Sequence, residues 1–190
     1  MCDRIPHTHP NAWNTENNAG RAPIHWEVLA MARSRETTYT SAPMSTAIPW
    51  SVSELSRMAE EVERIARDAA VVCFKGWRKG GVVERKGDID LVTAWDRASE
   101  DVLREGFARA FPDLALVAEE GGGTAPEGAP VLYADPLDGT TNFAHGHPFF
   151  AVSVGLMVGP EAVLGVVVAP ALRTVWRGSR GTPATRDGER

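Results

Sequence analysis

Cysteine is nearly absent from this chain: its 190 residues contain two, Cys2 and Cys73. Lying so far apart, they form neither a CxxC pair nor a metal-ligand set, which excludes a disulfide-stapled scaffold and predicts a reducing, cytoplasmic setting. An excess of positive charge is missing too. Lys and Arg number 20 against 25 Asp and Glu, a net charge of −5. No polybasic surface for nucleic acid or membrane is therefore expected, and an anionic substrate would need local help from cations or helix ends. With 43% hydrophobic and 24% charged residues, collagen, a coiled coil and wholesale disorder are excluded, and one sizeable core is within reach. An uninterrupted apolar segment of membrane-spanning length is lacking. Residues 149–172 come nearest, but Gly159-Pro160-Glu161 splits them into two strand-length pieces around a turn, which reads as a buried hairpin. Also absent are an internal repeat, a twelve-residue EF-hand loop and a Lys-Ser or Lys-Thr after Gly121-Gly122-Gly123. These glycines read as a flexible loop, not a phosphate-cradling one.

What is present is unevenly spread. Residues 1–50 hold four of the five Asn, three of the five His and five of the 13 Pro, with no sustained apolar period, the composition of a disordered extension. Arg4, Arg21, Arg33 and Arg35 balance Asp3, Glu16, Glu27 and Glu36 there, so the net charge belongs wholly to residues 51–190. The stretch has neither the basic start and apolar centre of a secretory signal nor the acid-poor composition of a transit peptide. Met44 stands just before the first strong structural signal. Residues 1–43 are accordingly expected to be a dispensable extension or an upstream misreading of the true start.

From residue 51 the pattern turns regular. Ser51 and Glu54 form a capping box, and Leu55, Met58, Ala59, Val62, Ile65, Ala66, Ala69, Val72 and Cys73 recur at helical spacing. They predict an amphipathic helix ending near Gly76, with Cys73 as a core residue. A second helix is predicted over 93–111, with Trp95, Ala98, Val102, Gly106 and Phe107 on its apolar stripe and Pro112 closing it. Four apolar runs follow, at 114–118, 131–134, 149–158 and 162–169, each bounded by Gly, Pro or Asp and read as strands. Two helices and then a run of strands predict an α+β layered architecture rather than alternating βαβ units.

Carboxylates gather where these elements end: Asp90 and Asp96 in GDIDLVTAWD, Glu119 and Glu120 in AEEGGG, Asp135 and Asp138 in DPLDGTTNF. Glu119 follows LALVA and Asp135 follows VLYA, so both are expected where a buried strand stops. Collecting carboxylates away from water is costly unless cations neutralise them or some take up protons, and hard oxygen donors select Mg²⁺, Mn²⁺ or Ca²⁺. Pro136 removes a backbone donor and turns the chain so that Asp135, Asp138 and the Leu137 carbonyl could converge. Gly139 permits close approach, and Thr140 and Thr141 open a helical turn whose free N–H groups favour phosphate. Singly, each piece has a plainer explanation. Asp-Pro and Asp-Gly make turns, a Glu pair makes a solvated face, Asp90 could satisfy donors at a strand end, and Asp96 could cap the helix begun at Thr93. His145 and His147, in HGH, could ligate zinc, but without further ligands they read as a loop.

Taken together, KGDIDLVTAWD (86–96), Glu119-Glu120, DPLDGTTNFAHGHPFFAVSVGL (135–156) and GVVVAP (165–170) resemble the inositol monophosphatase family of magnesium-dependent, often lithium-sensitive phosphomonoesterases. The resemblance runs in family order over most of residues 51–190, and the DPLDGTTNF block is highly specific. Ala118 stands where the family usually has Gly before the Glu pair, and GTPATRDGER looks like a loop leading to a short strand. The resemblance implies a layered α/β sandwich of the sugar-phosphatase type, with N-terminal helices packed on a mainly antiparallel sheet. It implies two or three Mg²⁺ ions: Glu119, Asp135 and the Leu137 carbonyl would hold the first, Asp135 and Asp138 part of the second. Asp96 would support the waters of a weaker ion, and Asp90 would order the same region. Thr140, with Glu119 or Asp96, would orient or deprotonate the attacking water, and the Gly139 and Thr140 amides would bind phosphate oxygens. The implied substrate is a small phosphate monoester, inositol monophosphate by default, and homodimers are common in the family.

Family members carry a further C-terminal section with a WDxAAG-like motif whose Asp completes the second metal site. Here the last Trp, Trp176, is followed by no Asp, and Asp187 and Glu189 are the only acids after Glu161. Residues 51–190 are therefore expected to be a family domain truncated at its C-terminus, its second metal site short of a ligand. Three readings stay open. They are a phosphatase represented by a shortened chain, a catalytically inactive metal- or partner-binding module on the same scaffold, and a Ca²⁺-binding structural domain of other ancestry.

Overall fold

The computed structural model describes residues 47–79, 83–85 and 91–190. Asp90, Met44 and all of the expected disordered extension except residues 47–50 lie outside them; within those four, Ile48 and Trp50 pack against the core. Helix α1 (Val52–Arg78) starts at the capping box: Ser51 Oγ accepts the Glu54 N–H at 3.3 Å, and the Glu54 carboxylate accepts the Ser51 N–H at 2.7 Å. Lys75 and Arg78 in its last turn complement the helix dipole. Leu55, Ala59, Val62, Ile65, Ala66, Ala69 and Cys73 are buried, as their spacing predicts. The helix ends at Arg78, two residues beyond Gly76. Gly76 is buried inside the last turn because a Cβ there would collide with the Trp95 indole, so its smallness serves a contact and not a helix end.

Strands β1 (Val83–Arg85) and β2 (Leu91–Thr93) pair antiparallel and lead into helix α2 (Ala94–Ala110). The buried face of α2 is Asp96, Ser99, Glu100, Leu103, Gly106 and Phe107, about one position round from the predicted stripe. Trp95, Ala98 and Val102 are only half-buried. Apolar periodicity misplaces this face because its first three members are polar. The helices meet closely at Gly106, where a Cβ would stand 2.6 Å from Cγ2 of the buried Ile65.

Six further strands form one sheet in sequence order: β3 (Ala115–Ala118), β4 (Val131–Asp138), β5 (Ala151–Val158), β6 (Glu161–Ala169), β7 (Thr174–Ser179) and β8 (Thr185–Arg186). The β3–β4 pair is parallel and the rest are antiparallel, so the layered α+β class and the hairpin within 149–172 are as the sequence predicts. Strand β7 escapes prediction because TVWRGS carries too short an apolar run to stand out. A short helix, α3 (Thr140–Ala144), links β4 to β5. The cross-strand rows Leu132–Leu156–Leu164 and Ala134–Val154–Val166 are buried under α1 and α2. The alternate face carries Tyr133, Gly155, Gly165 and Gly178 in one row. Among the described residues, no helix is long and apolar enough to cross a membrane.

Gly106→Ala tests the helix contact. Helix propensity favours alanine by about 1 kcal/mol, whereas overpacking a filled contact costs about 1–3 kcal/mol, and Ile65 is too enclosed to yield. The variant is expected to unfold at lower urea concentration than the parent with an unchanged m-value; a higher midpoint would contradict the close approach.

Candidate active site

Because β3 and β4 run parallel, their C-terminal ends lie at the same edge of the sheet. The register pairs Ala118 with Ala134, and the Glu119 N–H donates to the Ala134 carbonyl at 3.2 Å. Glu119 and Asp135 therefore come side by side, and their carboxyl groups are hydrogen-bonded. Glu119 reaches solvent while Asp135 is partly buried. The expectation that Asp135 follows a finished strand needs correction, since β4 runs on to Asp138. Asp135 pairs with Ser153 and Asp138 with Ala151, so one extra residue is accommodated between them. Pro136, without an N–H, sits in this bulge, where no ladder bond can form. The Leu137 N–H turns back to donate to Asp135 Oδ1 at 3.0 Å.

Both long helices hold the bulge from behind. The Pro136 carbonyl accepts the Ser99 hydroxyl at 2.8 Å and the Cys73 thiol at 3.4 Å. Burial pushes the Cys73 thiol up to about 12, so it stays a protonated donor in the core. In front, the Thr140 hydroxyl donates to the Leu137 carbonyl at 2.9 Å and lies 3.5 Å from Oδ1 of the buried Asp96. Gly139 precedes α3 with φ +83°, and a Cβ there would stand 2.8 Å from the Phe149 carbonyl, so glycine is required on both counts. Phe143 of α3 packs edge-on against Phe150 with centroids 5.2 Å apart, and Phe150 in turn against Trp77 at 5.7 Å.

The structure thus brings Asp96, Glu119, Asp135, Leu137, Asp138, Gly139 and Thr140 into one neighbourhood, while Asp90 falls outside the described residues. His145 and His147 are exposed in the turn after α3, with His145 Nδ1 2.9 Å from the Thr141 carbonyl. Sequence reasoning missed Ser99, the donor role of Cys73, and Glu100. Buried Glu100 accepts the N–H of Glu120 at 3.2 Å and of Gly121 at 2.9 Å, and pairs with Arg104. A signal for it existed: positions 96, 99, 100, 103, 106 and 107 share one helical face, and polar residues in such a face need partners.

Withdrawal from water, followed by the neighbouring charges of Glu119 and Asp138, pushes the Asp135 carboxyl up to about 9, with the Leu137 N–H pulling the other way. Acids in this position relieve their repulsion by taking up a proton or a cation. Among the described residues, no three or more His, Cys, Asp or Glu side chains are grouped closely enough to hold a metal ion by themselves. The donors are all oxygen, which suits a hard cation that keeps several waters. Glu119, Asp135, Asp138 and the Leu137 carbonyl supply the oxygen atoms available to such an ion at this strand end.

Residues 54–190 match the family model described as the inositol monophosphatase family. An inositol monophosphatase of Mesembryanthemum crystallinum is 38% identical over 127 residues, which are 65% of this chain and 47% of that protein. The fructose-1,6-bisphosphatase/inositol-1-monophosphatase of Aquifex aeolicus is 39% identical over 133 residues, 68% of this chain and 50% of that one. The solved structure of the inositol monophosphatase from Anabaena sp. PCC 7120 superposes with a TM-score of 0.62 at 33% identity, over 72% of this chain and 49% of the other. The chain spans about half the length of the curated relatives it matches.

The acid pair gives the metal-free chain a pH signature. A carboxyl raised from 3.8 to about 9 on folding contributes stability that is complete below the unfolded value and is lost as pH rises through the folded one. With EDTA present, stability is expected to fall between about pH 5 and pH 9 more steeply in the parent chain than in Asp135→Asn. Urea denaturation at both pH values measures the difference, and parallel curves would contradict the assignment.

Proposed function

The chain belongs to the inositol monophosphatase family, and from that premise we propose that it carries the acid-lined part of a Mg²⁺-dependent phosphomonoesterase site. Its substrate would be a small phosphate monoester, inositol monophosphate first. The reading is carried by the hydrogen-bonded Glu119–Asp135 pair at the shared end of β3 and β4, with the Asp138 charge beside it. Glu119, Asp135 and the Leu137 carbonyl would hold one Mg²⁺, Asp135 and Asp138 part of a second, and Asp96 would support waters of a weaker ion. Bound there, Mg²⁺ supplies positive charge to the phosphate and makes a water more acidic.

The chain's own residues do the rest. Thr140, oriented by its bond to the Leu137 carbonyl, positions the attacking water, and Glu119 or Asp96 accepts its proton. The Gly139 and Thr140 amides hold phosphate oxygens. Water attacks phosphorus directly as the bond from phosphorus to the alcohol oxygen breaks, so no covalent phospho-enzyme forms, and the leaving alkoxide takes up a proton from solvent. The names of the relatives, an inositol monophosphatase and a fructose-1,6-bisphosphatase/inositol-1-monophosphatase, support this substrate class. A cytoplasmic setting, the absence of nucleic-acid and membrane partners, and assembly as a homodimer belong to the same proposal. A second reading, an inactive metal- or partner-binding module, draws on the absence, among the described residues, of any group of three or more His, Cys, Asp or Glu side chains placed to hold a metal ion.

Phosphate release from inositol 1-phosphate with Mg²⁺ separates the two. Under the first reading the parent chain exceeds Asp135→Asn by about 100-fold or more, the scale of losing a principal electrostatic stabiliser. Equal background in both would reject catalysis by this chain and leave the binding module.

A further inference from the structure

We infer that Glu100 and Arg104 form a positioning latch for Glu119, fixing the backbone from which this acid reaches Asp135 and thereby setting the affinity of the site for a divalent cation. The inference rests on the metal-site reading above and deepens it.

Glu100 acts on the backbone just after Glu119. Its carboxylate is buried, 4% exposed, and sits beneath the turn that follows β3. Oε1 accepts the Gly121 N–H at 2.9 Å, and Oε2 accepts the N–H groups of Glu120 at 3.2 Å and Gly121 at 3.1 Å. Arg104, one helical turn further along α2, donates Nε to Glu100 Oε1 at 2.7 Å and a terminal nitrogen to the Gly122 carbonyl at 2.9 Å. The pair therefore grips successive peptide groups from one side. On the other side the turn closes on itself through Ala118 N–H to the Gly122 carbonyl at 3.2 Å, and the Glu119 N–H is tied to β4 through the Ala134 carbonyl at 3.2 Å. Glu119 lies between the two attachments. Charge-assisted hydrogen bonds of this kind are about twice as strong as neutral ones, and here they are made to the backbone of the turn.

The glycine triplet, read from the sequence as a flexible loop, is shaped for this latch. A Cβ at Gly121 would collide with Glu100 Oε1 and the Arg104 guanidinium. Gly122 has φ +61°, and Gly123 has φ +152° with the Leu116 carbonyl in the place a side chain would take. Each position excludes other residues for a different reason. The need for a latch follows from the site: Glu119 is exposed, so its side chain can be aimed only by the backbone that carries it, and the turn after β3 is what Glu100 and Arg104 secure.

Mn²⁺ titration followed by electron paramagnetic resonance, with amide hydrogen exchange over residues 118–122, tests the inference in the full chain. Glu100→Gln turns an amide NH₂ towards the Glu120 and Gly121 N–H groups. It is expected to weaken Mn²⁺ binding about tenfold, the lower end of what outer-sphere partners contribute, and to speed exchange at Glu120 and Gly121 while Val154 exchange stays as in the parent. Arg104→Lys keeps the charge but loses the fork, and is expected to fall between the parent and Glu100→Gln. A merely structural role would lower the melting temperature and leave the Mn²⁺ affinity of the folded protein unchanged, which overturns the latch alone. If the parent binds no more Mn²⁺ than Asp135→Asn, the metal-site reading falls; unchanged exchange in Glu100→Gln would then overturn the latch as well, and faster exchange would support its hold on Glu119.

Discussion

Two carboxyl groups held side by side at a sheet edge repel each other, and the surrounding chain is arranged to keep them there. Two unit charges about 4 Å apart repel by about 4 kcal/mol at the effective dielectric of a protein surface, and this repulsion adds to withdrawal from water in raising the Asp135 carboxyl. Fully burying a large apolar side chain contributes about 1.5–3 kcal/mol. Leu132, Leu156 and Val152, all enclosed under the helices, therefore offset the repulsion between them. The parallel β3–β4 pair creates the encounter, and the apolar rows behind it make the encounter tolerable.

The two long helices share this work unequally. Helix α1 is mostly a wall, its stripe apolar along its length, and it reaches the bulge through the Cys73 thiol on the Pro136 carbonyl. Helix α2 is wall and scaffold at once. Leu103, Gly106 and Phe107 seat it against α1 and the sheet, whereas Asp96, Ser99 and Glu100 on the same face reach three parts of the acid neighbourhood: Thr140, the Pro136 carbonyl and the turn after β3. Their burial is permitted because each has a partner.

Much of this was legible in the sequence where the information is local. The capping box at Ser51, the stripe of α1, the interrupted apolar run that folds into β5 and β6, and the DPLDGTTNF block all declare themselves within a single stretch of neighbouring residues. What stayed hidden depends on contacts distant in sequence. Gly76 looks like a helix end until Trp95 is placed against it. Polar Ser99 and Glu100 look like surface until the Pro136 carbonyl and the Gly121 N–H arrive beneath them. The glycines at 121–123 resemble a loose linker because spacing along the chain carries no record of a carboxylate from another element. Apolar periodicity fails on α2 for the same reason: it weighs the residue and not its partner.

The bulge in β4 has a consequence of parity. Residues three apart on a regular strand face opposite ways, so Asp135 and Asp138 would be divided between the two faces of the sheet. The extra residue makes the odd interval behave as an even one, since their partners Ser153 and Ala151 share a face. Two intervening positions are thereby freed for the other side. Leu137, 1% exposed, roots the segment in the core, and Pro136 gives its carbonyl to both helices. A spacing of one residue between the acids would leave a single inward position, and the segment would have to choose between its root and its clasp.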